Sequence, residues 1–218
     1  DVYLTIDSNV QLMTERALNK EFENSGATSA IFVVDEAKTG KVIASATKPS
    51  FDPNQKNIAN YLNPLVSTSF EPGSTMKAYT YMATMEKGNY NGQDTYDSGT
   101  IKIDDYTIKD WNTYGWGNIT YDYGYAQSSN LGVVNLTQKY LTGGELKDYL
   151  IKLGFGSKTN IELPGEVSGK IDFQYKVEIA TASFGQGITI TPVQMIKALT
   201  AISNDGYLLE PTIVEKIS

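Results

Sequence analysis

The sequence predicts an α/β fold of the α+β type, a small antiparallel sheet packed against helices plus a mostly helical lobe. Three observations carry that expectation. Short stretches of alternating apolar and polar residues crowd the first sixty positions, apolar residues recur at helical spacing from about Pro72 onward, and turn residues separate the two kinds of segment without repeats or low-complexity linkers. With 218 residues, 40% of them apolar, the chain is long enough to bury one sizeable core, divisible into two lobes.

The elements follow in order. "DVYLTID" alternates and predicts a short strand, after which Asp7 or Ser8 caps a helix that carries Val10, Met13, Ala17, Leu18 and Phe22. "SAIFVVDEAKTGKVIASATK" reads as a hairpin whose turn ends in Gly40. This sheet portion with its helix spans about residues 1–60, and the helical lobe about 61–206. "STMKAYTYMATMEKG" predicts a helix closed by Gly88, and residues 88–125 read as irregular, polar and aromatic. The last helix is well punctuated, with Thr191 as its cap, Pro192 in its first turn and Gly206 just past its end.

Composition excludes whole classes of chemistry. There is no cysteine and no histidine, so thiolate nucleophiles, His-ligated metals and every Ser-His-Asp or Cys-His catalyst are ruled out, and no metal or cofactor is expected. A nucleophile here has to be activated by lysine or carboxylate. The net charge of -7 argues against a nucleic-acid partner, which demands clustered Lys and Arg. No apolar run approaches the ~20 residues of a membrane span, so any membrane anchor is expected in a segment outside this sequence.

Within that frame "FEPGSTMKAY" is notable for Ser74 and Lys77, a serine and a lysine three residues apart just after Pro72 and Gly73. The same spacing occurs at Ser45 and Lys48, but on a strand positions i and i+3 face opposite sides, so that pair cannot meet. At the start of a helix i and i+3 share a face. Ser74 there lies at the positive end of the helix dipole, and burial beside Met76, Tyr79 and Met82 would lower the proton affinity of Lys77. From spacing alone, a capping serine and a solvated lysine are the simpler account of the pair. A second element shifts the balance: "YAQSSNLGVVNL" opens another helix with Ser128, Ser129 and Asn130, which supply hydroxyls to pass a proton or meet a substrate and an amide to hold lysine and substrate.

These segments, with "LTIDSNVQ", "VVDEAKTGKVIASATKPSFDPN", "LGFG", "LPGEVSG" and "SFGQGITITPVQM", resemble almost end to end the transpeptidase domain of class B penicillin-binding proteins, the serine D,D-transpeptidases of the penicillin-binding protein and serine β-lactamase superfamily. The family signature combines Ser-x-x-Lys, Ser-x-Asn and Lys-[Thr/Ser]-Gly. The resemblance implies a nucleophile at Ser74, its lysine at Lys77, and a second motif at Ser128 and Asn130, with Ser129 and Trp111 as substrate contacts. For Trp111 an aromatic packed under a long loop is as good a reading as a groove wall. The one "KTG", Lys38 to Gly40, precedes the nucleophile in a hairpin turn and is a false match, so the third motif and the remaining sheet strands are expected after residue 218.

The resemblance further implies the reaction. Neutral Lys77 takes the proton of Ser74, which attacks the carbonyl between the terminal D-alanines of a peptidoglycan stem peptide, and a neighbouring stem peptide's amine resolves the acyl-enzyme. β-Lactam antibiotics should acylate the same serine. Expected partners are stem peptides, β-lactams and cell-wall synthesis or division proteins, at the extracytoplasmic face of the bacterial plasma membrane. Glu166, in a Pro- and Gly-rich loop, reads as structural and not as the water-activating carboxylate of a β-lactamase. A D,D-carboxypeptidase or β-lactamase-type hydrolase, and a non-catalytic β-lactam sensor or wall-synthesis scaffold, are the alternatives.

Overall fold

The computed structural model describes residues 1–88 and 90–218. In chain order the elements are β1 (Val2–Leu4), α1 (Ser8–Ser25), β2 (Ala30–Glu36), β3 (Lys41–Lys48), α2 (Pro64–Ser67), a 3-10 turn (Gly73–Met76) and α3 (Lys77–Glu86). The short strands β4 (Thr95–Asp97), β5 (Thr100–Ile103), β6 (Tyr106–Lys109) and β7 (Asn118–Thr120) follow. Helices α4 (Tyr121–Ala126), α5 (Asn130–Tyr140), α6 (Gly143–Lys152), α7 (Lys176–Ser183) and α8 (Pro192–Ser203) then lead to β8 (Val214–Ile217).

The chain divides into two compact units, each built from more than one stretch of the sequence. The first comprises Asp1–Ser69, Leu153–Gly169 and Thr191–Ser218, the second Phe70–Lys152 and Lys170–Ile190. The helix α8, read from the sequence with the helical lobe, therefore lies in the unit that holds the N-terminal sheet. Local patterning specifies the helix, but which core its apolar side joins is a tertiary choice.

In the first unit β2 and β3 form an antiparallel hairpin, Ala30 facing Lys48 and Glu36 facing Lys41. Strand alternation puts Val42, Ala44 and Ala46 inside. Asp7 settles the cap of α1 by accepting from the amides of Asn9 and Val10 at 2.9 and 3.0 Å. Gly40 takes φ +74° at the hairpin turn, and a Cβ there would also lie 2.6 Å from the Glu210 carbonyl, so turn and packing both demand glycine. Lys38 of this turn pairs with Asp205 at the exposed surface. The C-terminal segment returns alongside: Thr212 bonds to Gly40 and Val42, and β8 pairs with β1. Val42, Leu65, Val66, Ile161 and Val193 make the core of this unit. Thr191 and Gln194 form a reciprocal capping box on α8.

In the second unit α3 packs on α5 and α6, and α5 and α6 on α7. Tyr81, Tyr96, Ile103, Tyr121, Leu131, Leu136 and Phe184 belong to one buried cluster. The segment read as irregular is largely ordered as two ladders, β4 with β7 and β5 with β6; Asn89 within it lies outside the described residues. The β5–β6 hairpin turns on Asp104 with φ +52° and Asp105, a pair without glycine, which is why its turn signal was weak. Its alternation of Ile101, Ile103 and Ile108 was nonetheless present in the sequence. Among the described residues no helix is long and apolar enough to cross a membrane.

Candidate active site

The backbone ahead of Ser74 is fixed by a partner segment 112 to 120 residues further on. Phe70 exchanges two backbone hydrogen bonds with Ile190, at 2.9 and 3.0 Å, and the Glu71 carboxylate accepts from the Gly187 amide at 2.8 Å. The Gly73 amide donates to the Gly185 carbonyl at 3.0 Å. Gly185 itself has φ +80°, and a Cβ on it would come 2.2 Å from the Gly73 carbonyl oxygen. Only glycine fits there. Thr80 adds a hydroxyl bond to the Ser183 carbonyl at 2.8 Å, so the "SFGQGITI" segment cradles both the Ser74 loop and the helix behind it.

Ser74 sits in the 3-10 turn and not, as the sequence suggested, in the first turn of an α-helix. In a 3-10 turn side chains at i and i+3 eclipse, so Ser74 and Lys77 still share a side. The Lys77 amide closes the turn on the Ser74 carbonyl. Ser74 is exposed, whereas Met76 and Lys77 are buried, Lys77 to 3% exposure.

Lys77 reaches Ser128. Its Nζ donates to the Ser128 carbonyl at 2.5 Å and to Ser128 Oγ at 3.0 Å. Burial pushes the ammonium down to about 8, opposed by the negative charge of Asp110. Ser128 is a non-glycine residue in the left-handed region, φ +54°, a conformation that turns its carbonyl and hydroxyl toward one cation. The structure thus joins the two sequence motifs directly.

Three consecutive residues, Lys109 to Trp111, clasp the second motif. The Lys109 carbonyl accepts from Asn130 Nδ2 at 2.9 Å, Asp110 Oδ1 accepts from Ser129 Oγ at 2.9 Å, and Trp111 Nε1 donates to the Gln127 carbonyl at 2.8 Å. Ser129 is buried and caps α5 through the Gly132 amide at 3.0 Å, so its hydroxyl is engaged within the protein. Trp111 is 70% exposed and meets Trp116 edge-on at 5.5 Å. It is both a surface beside the second motif and an aromatic packed on a loop.

Sequence reasoning passed over Asp110 and Gly185. "KDWN" gives no spacing to a catalytic partner, and Gly185 was visible only inside a longer resemblance. Glu166 is committed to its own loop, accepting from Thr159 at 2.6 Å twice and from the Asn160 amide at 2.9 Å. Among the described residues no group of three or more acidic side chains gathers as a metal site.

Comparison with known proteins identifies the family. The family described as "Penicillin binding protein transpeptidase domain" covers residues 30–218. The chain is similar to the stage V sporulation protein D of Bacillus subtilis, 34% identical across 99% of this chain and 35% of that protein. It is likewise similar to the probable peptidoglycan D,D-transpeptidase PenA of Neisseria flavescens, 33% identical across 99% of this chain and 54% of the relative. With the peptidoglycan D,D-transpeptidase FtsI of Escherichia coli it shares 31% identity across 98% of this chain and 37% of that protein. The crystal structure of penicillin binding protein 2X from Streptococcus thermophilus superposes with a TM-score of 0.88 at 32% identity, covering 98% of this chain and 32% of that one. The chain therefore spans about a third to a half of the length of these relatives.

Proposed function

The chain belongs to the class B penicillin-binding protein transpeptidases, and from that membership we propose that it contributes the serine, lysine and second-motif part of a peptidoglycan D,D-transpeptidase site. The observation that carries this reading is the buried Lys77, hydrogen-bonded to Ser128 Oγ and one turn from the exposed Ser74. A lysine held near 8 by burial is neutral in a useful fraction at physiological pH, as a general base requires.

In this reading Lys77 Nζ accepts the Ser74 proton as Ser74 Oγ bonds to the penultimate D-alanine carbonyl of a stem peptide. The tetrahedral intermediate collapses to an ester, and the departing D-alanine amine takes a proton by way of Ser128 Oγ, which Lys77 already contacts. The amine of a second stem peptide then attacks the ester, its proton returning along the same route to Lys77 and Ser74. Asn130 and Trp111 border the acyl donor, Asn130 as the amide that orients it and Trp111 as an apolar wall. Ser129 serves by capping the helix that holds Asn130. In this reading the protein acts at the extracytoplasmic membrane face, with other wall-synthesis or division proteins.

β-Lactams present a strained amide in place of the D-Ala-D-Ala bond and should acylate Ser74. The test is an intact-mass time course of the intact protein with a simple penicillin, followed by peptide mapping. A persistent penicilloyl adduct on Ser74, absent from the Ser74→Ala variant, is expected. An adduct on a different residue would overturn the assignment, and rapid penicillin turnover without a persistent adduct would mark a hydrolase instead.

A further inference from the structure

Two buried ionisable side chains of opposite sign lie in the second unit, Lys77 at 3% and Asp110 at 2% exposure. The reaction as derived uses only the lysine. A carboxylate taken out of water is costly unless its oxygens are fully bonded, and Asp110 meets that condition. Its Oδ2 accepts from the Gly99 amide at 2.9 Å, and its Oδ1 from Ser129 Oγ at 2.9 Å and the Leu131 amide at 3.1 Å. All three donors are neutral, and among the described residues Asp110 has no direct ion pair.

The partner charge sits one peptide unit away. Ser129 bonds to Asp110, while the adjacent Ser128 bonds through both its carbonyl and its hydroxyl to Lys77. Asp110 also sits at the N-terminus of α5, where a negative charge is favoured by the helix dipole. It therefore holds Ser129, the residue next to the Ser128 turn that Lys77 contacts.

We propose that Asp110 is a positioning residue for acylation, holding Ser128 in its left-handed conformation against Lys77 and, by its charge, setting how tightly Lys77 keeps its proton. The proposal rests on Lys77 being the base for Ser74. A fixed negative charge favours the ammonium and so counteracts burial, which keeps the lysine from becoming too weak a base. Other charged groups around α3 lie elsewhere: Glu145 pairs with Lys87, and Tyr149 with Glu86, at its C-terminal end. The buried phenols Tyr79, Tyr81 and Tyr96 do not compete, since burial raises all three, the last to about 12.

The experiment is the second-order rate of acylation of the intact protein by a fluorescent penicillin, from about pH 6 to about pH 10, for wild type, Asp110→Asn and Ser129→Ala. Thermal melts accompany each variant. Loss of the charge should move the acidic limb of the Asp110→Asn profile to lower pH by roughly half to one unit and lower the plateau. Ser129→Ala, which cuts the hydroxyl link and keeps the charge, should lower the plateau with the limb in place. A folded Asp110→Asn protein whose limb coincides with wild type would overturn the proposal. Should that variant not fold, Asp110→Glu decides: it retains the charge, so its limb should stay at the wild-type position, and a downward displacement would refute the charge role. Wild type that is not acylated at Ser74 would instead refute the functional reading itself, a separate outcome.

Discussion

Lys77 shows most clearly what function demands of one residue. Its ordinary value of 10.5 falls to about 8 on folding, so between those two pH values the unfolded chain binds a proton that the folded protein does not. Stability must therefore rise with pH across that window and be lowest relative to an apolar side chain below about pH 8. The interval corresponds to about 3 kcal/mol. Chemical denaturation of wild type and Lys77→Met at several pH values should show wild type gaining about that amount relative to the variant between pH 8 and 10.5. Parallel pH profiles for the two proteins would show that Lys77 is not desolvated as described. Acylation should follow the same titration, rising with pH through about 8 and vanishing in Ser74→Ala. The sequence offered Ser74 and Lys77 as a pair because a helical start puts i and i+3 together. It could not show the burial that lowers the lysine's proton affinity, since the burial of Lys77, like that of Tyr79, Leu131 and Val133, is a property of the folded chain.

At the scale of elements, the site depends on segments that meet across long stretches of sequence. The turn around Gly73 is positioned by Gly185, and the second motif by the clasp at Lys109 to Trp111. Gly185→Ala puts a methyl carbon 2.2 Å from the Gly73 carbonyl and a side chain at φ +80°, so the loop has to shift. A displacement of about 1 Å at a nucleophile costs on the order of 100-fold in rate. The penicillin acylation rate of this variant should fall by about that factor; a wild-type rate would show that the contact does not position Ser74. Helices with strong end signals were legible: Thr191, Pro192 and Gly206 mark α8 as they were read. The β5–β6 hairpin was missed because its turn runs through Asp104 and Asp105, and the 3-10 start of α3 because propensity does not distinguish the two helix types over four residues.

For the molecule as a whole, two compact units each carry their own core, and the Ser-x-x-Lys and Ser-x-Asn motifs both lie in the second. Leu136, fully buried on α5, supports the helix that presents Asn130. Leu136→Ala should cost about 2–5 kcal/mol in a denaturant titration, the ordinary penalty of a core cavity. A loss under about 1 kcal/mol would mean that the site collapses around the missing side chain.

The sequence by itself bounded which chemistry was open: with no histidine or cysteine, any nucleophile had to be activated by lysine or carboxylate, and helix caps and turn residues put Ser74 and Lys77 together at a helix start. These properties are local, set by residue type and spacing over a few positions. Tertiary structure alone decided that Lys77 is buried, that its ammonium meets Ser128 and not solvent, that Asp110 stands behind the same turn, and that Gly185 touches Gly73. Those contacts join residues from 19 to more than 100 positions apart, and periodicity carries no information about such pairings because the free energy that selects them comes from burying two distant segments at once.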